Sequence, residues 1–64
     1  MLEEIKKRLM LRQIHRFTIE ECEDRLMLIR YLQRREELHA YQQEFQDYII
    51  KIEYRLANLK KELE

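Results

Sequence analysis

Phe45-Gln46-Asp47-Tyr48-Ile49-Ile50-Lys51-Ile52-Glu53-Tyr54-Arg55-Leu56-Ala57-Asn58-Leu59, continued to Leu63, places large apolar residues at positions 45, 49, 52, 56, 59 and 63. The steps alternate between four and three, the heptad spacing of an α-helix with one apolar edge. Such an edge must be covered. Burying around ten large apolar side chains, at roughly 1.5–3 kcal/mol each, is the force that finds the cover.

Working upstream, Ile19, Cys22, Leu26 and Ile29, with Leu32 beside them, carry a stripe of the same kind, and Leu38 and Tyr41 lead from it into Phe45. Gln33-Arg34-Arg35-Glu36-Glu37 interrupts the stripe and shifts its phase. The chain holds no glycine and no proline, the residues that ordinarily end a helix or turn a chain. The interruption is therefore read as a stutter or polar crossing point inside one helix from Ile19 to about Leu63, a rod of roughly 65–70 Å. A bend there into a helical hairpin is the alternative.

The start of that helix is well marked. Thr18-Ile19-Glu20-Glu21 has the form of a capping box, with the Thr18 hydroxyl accepting from the Glu21 amide and the Glu21 carboxylate reaching back. Phe17 and Cys22 have the spacing of a hydrophobic staple, and Glu20, Glu21, Glu23 and Asp24 load the positive end of the dipole. Before the break at residues 15–18, Leu2, Ile5 and Leu9 stand three then four apart, predicting a short helix from Leu2 to about Ile14. Glu3–Lys7 and Glu4–Arg8 have the spacing of favourable ion pairs.

Composition fits this outline. Sixty-four residues are few for a self-sufficient core, and with one cysteine there is no internal disulfide to help. The chain is 41% charged and 45% hydrophobic, too apolar for a disordered tail and rich in helix formers. Net charge is zero, which gives no electrostatic footprint for nucleic acid. A modest asymmetry exists: residues 1–17 hold five lysines and arginines against Glu3 and Glu4. The longest apolar run, Leu26-Met27-Leu28-Ile29, is too short for a membrane span or signal core. With Cys22 unpaired and no targeting signal in these residues, a reducing, cytoplasmic setting is the expectation.

Residues that invite chemistry have plainer readings beside them. Cys22 near a helix N-terminus is a redox candidate, but four surrounding carboxylates favour the thiol, and burial in the staple accounts for it. His15 and His39 stand apart and lack a ligand set. Tyr31, Tyr41, Phe45, Tyr48 and Tyr54 fall on or beside the stripe, where aromatics are usually core rather than pocket. Lys6-Lys7-Arg8 with Arg12 reads as a solvated face. No catalytic constellation, metal-ligand spacing or phosphate loop is present, so neither enzyme activity, cofactor nor metal is expected.

Leu2-Glu3-Glu4-Ile5-Lys6-Lys7…Leu9…Leu11-Arg12 resembles the "SLEEIKELLxLR" helix of MerR-type transcriptional regulators. Thr18-Ile19-Glu20-Glu21 with Arg25-Leu26…Leu28 is similar to the start of that family's long dimerisation helix, and Ile49…Ile52-Glu53-Tyr54-Arg55-Leu56 to its "LLDYKIxYY" stretch. The resemblance implies an antiparallel coiled-coil homodimer that spaces two DNA-reading domains, with Gln33–Glu37 near the crossing. No winged-helix segment stands in these residues, so direct DNA binding is not expected of them, and no effector is indicated.

The expectation is thus an all-α chain: a short helix and corner over residues 1–17, then a long dimerisation helix over 18–64, pairing as an antiparallel dimeric coiled coil. Its function would be homodimerisation of a MerR-like regulator, a stand-alone helical adaptor or antirepressor being the alternative. The dimer seam is assigned to Leu26, Ile29, Leu32, Leu38, Tyr41, Phe45, Ile49, Ile52, Leu56 and Leu59, with Leu2, Ile5, Leu9 and Phe17 docking the short helix. On this reading Ile52→Asp buries an unpaired charge. It is expected to dissociate the dimer and remove most helicity, measured by sedimentation and circular dichroism; an unchanged dimer would mean a different seam.

Overall fold

In a computed structural model, which describes residues 2–63, Thr18 starts a helix in the manner its sequence calls for. The Glu21 amide donates to Thr18 Oγ1 at 3.1 Å and the Thr18 amide donates to Glu21 Oε1 at 3.0 Å. The box satisfies two of the amides that a helix start leaves without partners. The helix it opens, α2, runs Ile19–Gln33 and buries Cys22, Leu26 and Ile29 at steps of four and three.

There the continuous rod gives way to a hairpin. Arg35 takes an extended backbone (φ −81°, ψ 126°), Glu36–Tyr41 form a 3-10 helix, and α3 runs Gln42–Leu63. The expected single helix over residues 18–64 is therefore two helices packed on each other. Side chains take the place of a turn-forming glycine. The Gln42 amide side chain donates to the Gln33 carbonyl that the break exposes. Arg35 pairs with Glu37, and its Nη1 donates to Tyr31 Oη at 3.1 Å. The Glu37 carboxyl is held below its ordinary value, first by its own backbone amide and then by Arg35. Leu38 is buried at the closed end. Once an apolar side chain is packed inside the bend, tertiary burial outweighs a helical preference worth only tenths of a kcal/mol per residue.

The cover for the heptad edge is thus intramolecular. Phe45, Ile49 and Ile52 of α3 are buried in one core with Cys22, Leu26 and Ile29 of α2, Leu11, Phe17 and Leu38. Leu32, Tyr41, Leu56 and Leu59 are half-buried against that core. Tyr41 meets Phe45 edge to face, with centroids 6.5 Å apart. Among the described residues there is no strand.

The N-terminal segment also departs from expectation. Helix α1 spans Leu2–Arg8 rather than reaching Ile14, and Leu11–Arg16 form a 3-10 helix kinked at Gln13. Between them Met10 adopts left-handed angles (φ 56°, ψ 38°), and its amide donates to the Lys7 carbonyl at 3.2 Å. The reversal allows both Leu11 and Phe17 to be buried. Leu2, Ile5 and Leu9 pack half-buried against the core, so with Phe17 they dock the segment. In place of the i,i+4 pairs, Glu3 meets Lys6 at 3.3 Å and Arg12 at 3.7 Å.

Two arginines bind the corner to the hairpin. Arg25 Nε of α2 donates to the Leu9 carbonyl at 2.8 Å, with its guanidinium 5.3 Å from the Phe17 ring centroid. Arg55 Nε of α3 donates to the Phe17 carbonyl at 3.1 Å. Both carbonyls lie where a helical turn ends and lacks an internal donor.

Met10 occupies a position that suits glycine, and a non-glycine residue there costs roughly 1–2 kcal/mol. Its side chain is partly exposed, so little packing is at stake. Met10→Gly is expected to stabilise the protein by about 0.5–1 kcal/mol after glycine's own entropic cost. A urea midpoint that stays put or falls would contradict this account of the turn.

Candidate interaction surface

Ile49 and Ile50 are adjacent, and at 100° per residue they cannot both face α2. Ile49 is buried while Ile50 is 56% exposed, and Tyr54, one turn further on, is 72% exposed. Both lie roughly opposite Ile52 around α3. Ile50 and Tyr54 form an apolar shelf with Ile14 and His15 beside it. On the other flank, Met27 and Tyr31 of α2 are 63% and 55% exposed. They line an open groove whose floor includes Leu26, Leu56 and Ala57.

The groove is framed by both signs of charge: Glu23 and Glu53 against Arg30, Arg34 and Lys60. Arg30 and Glu53 approach to 3.6 Å between the two helices, both half-exposed, a geometry worth little to stability. Leu63 is also largely exposed near the end of α3. The molecule measures 40 × 18 × 15 Å and exposes 5079 Å², against about 4500 Å² for an average compact monomer of its mass.

The residues assigned to a dimer seam separate into two groups. Leu26, Ile29, Leu38, Phe45, Ile49 and Ile52 are buried inside the single chain, while Leu32, Tyr41, Leu56 and Leu59 retain some exposed surface. The closed hairpin therefore presents outward Met27, Tyr31, Ile50 and Tyr54, of which only the tyrosines stand out in a search for a helical stripe. Met27 and Ile50 were legible by one signal, the spacing Met27–Tyr31 and Ile50–Tyr54, each four residues apart.

Chemical candidates do not converge. Among the described residues no group of three or more His, Cys, Asp and Glu side chains is placed to hold a metal. His15 and His39 are both exposed and lie on separate parts of the surface. Lys6 and Lys51 lie over the Tyr48 ring at 5.9 and 5.5 Å, joining α1 to α3 rather than forming a free basic patch. No helix of the described residues is long and apolar enough to cross a membrane.

Compared with known proteins, the chain matches no family, no curated protein and no solved structure. The likeness to MerR-type helices accordingly rests on the quoted residues alone.

Cys22 is fully buried. Burial pushes its thiol up from the ordinary 9.0, Glu21 and Glu23 add to the rise, and Arg55 opposes it. A raised folded-state value means the native protein holds this proton more tightly than the unfolded chain. The associated stability is complete below the ordinary value and is lost as pH climbs through the folded one. Wild type is therefore expected to lose stability relative to Cys22→Ala as pH rises past the thiol's ordinary value of 9.0. Alkylation by iodoacetamide should be slow in buffer and fast in urea; equal rates in both would place the thiol at the surface.

Proposed function

We propose that this chain is a helical association module whose partner is a second copy of itself. The observation that carries the reading is the surface it leaves open: more area than a compact monomer of its size, with Met27, Tyr31, Ile50 and Tyr54 exposed along the two main helices. Exposed aromatic and large aliphatic side chains in groups mark interaction surfaces on small proteins. Zero net charge removes mutual repulsion between identical copies. Association is favoured over catalysis because the titratable side chains are dispersed and the grooves are open.

The specific form suggested by resemblance is the homodimerisation arm of a MerR-like transcriptional regulator. Supporting it are the short N-terminal helix docked at a corner and the capping box at Thr18. The break at Arg35 departs from the single long helix that the resemblance implies. A helical adaptor that receives a helix of another protein on the same surface is the alternative. The buried, unpaired Cys22 suits a reducing compartment.

Mass measured by sedimentation or light scattering across a dilution series tests this reading. A dimer that gives way to monomer on dilution is expected, with a dissociation constant at or below about 100 µM. A well-folded monomer throughout that range overturns it.

A further inference from the structure

The open groove between α2 and α3 carries its charges in an order that a second copy complements. On the α2 wall, Glu23, Met27, Arg30 and Arg34 follow at steps of four, three and four. They lie within about 60° of one another around the helix, and all four are exposed. Along this wall the chain is acidic, then apolar at Met27, then basic. The α3 wall repeats the order with Glu53, Ala57 and Lys60. The Arg30–Glu53 contact at 3.6 Å fixes how the walls are levelled. The helices run in opposite directions, so three residues back from Arg30 and three on from Glu53 set Met27 level with Leu56, beside Ala57. Four residues further, Glu23 is level with Lys60. Both walls therefore change sign at one level.

A two-fold axis crossing the groove at that level, at right angles to the helices, lays each helix antiparallel on its own copy. Glu23, four residues before Met27, then stands opposite the partner's Arg30, three residues after it. Glu20 stands opposite the partner's Arg34, each seven residues from Met27. Glu53 stands opposite the partner's Lys60, on either side of Leu56-Ala57. Around the four helices at one end of the groove the order is Arg30, Glu53, the partner's Lys60 and the partner's Glu23. The sign alternates at every neighbouring position, and the axis generates the same ring at the other end. Between the rings Met27 meets the partner's Met27, and the small Ala57 side chains let the α3 helices approach. A helix with the reverse order of charge meets like charges at these positions.

We infer that two closed hairpins dimerise groove to groove about a two-fold axis at Met27 and Ala57, forming a four-helix bundle. This rests on the homodimer reading above and names its surface and register. It differs from the coiled coil that the resemblance implies: Leu26, Ile29, Phe45, Ile49 and Ile52 stay inside each chain, and no helix continues through Arg35. Exposed ion pairs are individually weak, so Met27, Tyr31 and Leu56 supply the adhesion and the charges choose the register. The shelf at Ile50 and Tyr54 is the competing face.

Charge exchange between chains tests the register. Glu53→Lys sets a lysine opposite the partner's Lys60, and Lys60→Glu sets a glutamate opposite the partner's Glu53. Both positions are exposed, so each variant is expected to keep the helical circular dichroism of wild type. Each alone is expected to raise the dimer dissociation constant about tenfold, because the reversed pair occurs twice across the axis. An equimolar mixture restores opposite charges at both sites and is expected to recover most of the lost affinity. Rescue on mixing requires the two residues to meet between chains.

Crosslinking locates the axis. In a Cys22→Ala background, Met27→Cys is expected to give covalent dimers with a short bis-maleimide, and Tyr54→Cys to give few. Dimers that crosslink through Tyr54→Cys but not Met27→Cys, or charge variants that associate no better mixed than alone, overturn this register while leaving homodimerisation standing. A monomer at every concentration overturns both.

Discussion

Two amphipathic helices of one chain lie face to face, with Leu26 and Ile29 on α2 and Phe45, Ile49 and Ile52 on α3 in a shared core. Without that contact neither helix has a reason to be ordered at this length in water, since isolated helices gain little from propensity alone. The corner, the short N-terminal helix and the bend each have a role relative to it. Leu11 and Phe17 close one part of the core, and Leu38 closes another. A chain this short has few alternatives: nine buried apolar residues form one cluster, and among the described residues no buried polar side chain interrupts it.

Polar groups act at the margins of that core, where helical turns stop. Thr18 and Glu21 satisfy amides at the start of α2, Gln42 satisfies the Gln33 carbonyl where α2 ends, and Arg25 and Arg55 satisfy the carbonyls of Leu9 and Phe17. These bonds span from three to thirty-eight residues, so the local caps hold single helices while the arginine contacts hold separate elements together. A hydrogen bond involving a charged donor typically contributes more than a neutral one. The two arginines thereby do for the corner what a disulfide or metal often does in other small proteins.

The same arrangement has a consequence for partners. Closing the heptad edge within the chain frees the outer side of α3 and one flank of α2, where Met27, Tyr31, Ile50 and Tyr54 meet solvent. It also makes the core divisible, because each half is carried by a separate arm joined through one extended residue, Arg35.

Helical class, the Thr18 boundary and the identity of the core were all open to reading from the residues. The absence of glycine and proline removes the usual turn formers, the capping box is a local hydrogen-bond pattern, and the spacing of Leu26 and Ile29, and separately of Phe45, Ile49 and Ile52, marks an apolar face on each stretch whatever covers it. The covering partner and the bends were decided by tertiary packing. Periodicity states that an edge must be buried but not by which chain, and no local signal at Arg35 or Met10 prescribes a bend. Those bends exist because burying Leu38, Leu11 and Phe17 together yields more than continuing a helix, an advantage visible only once distant segments are in contact.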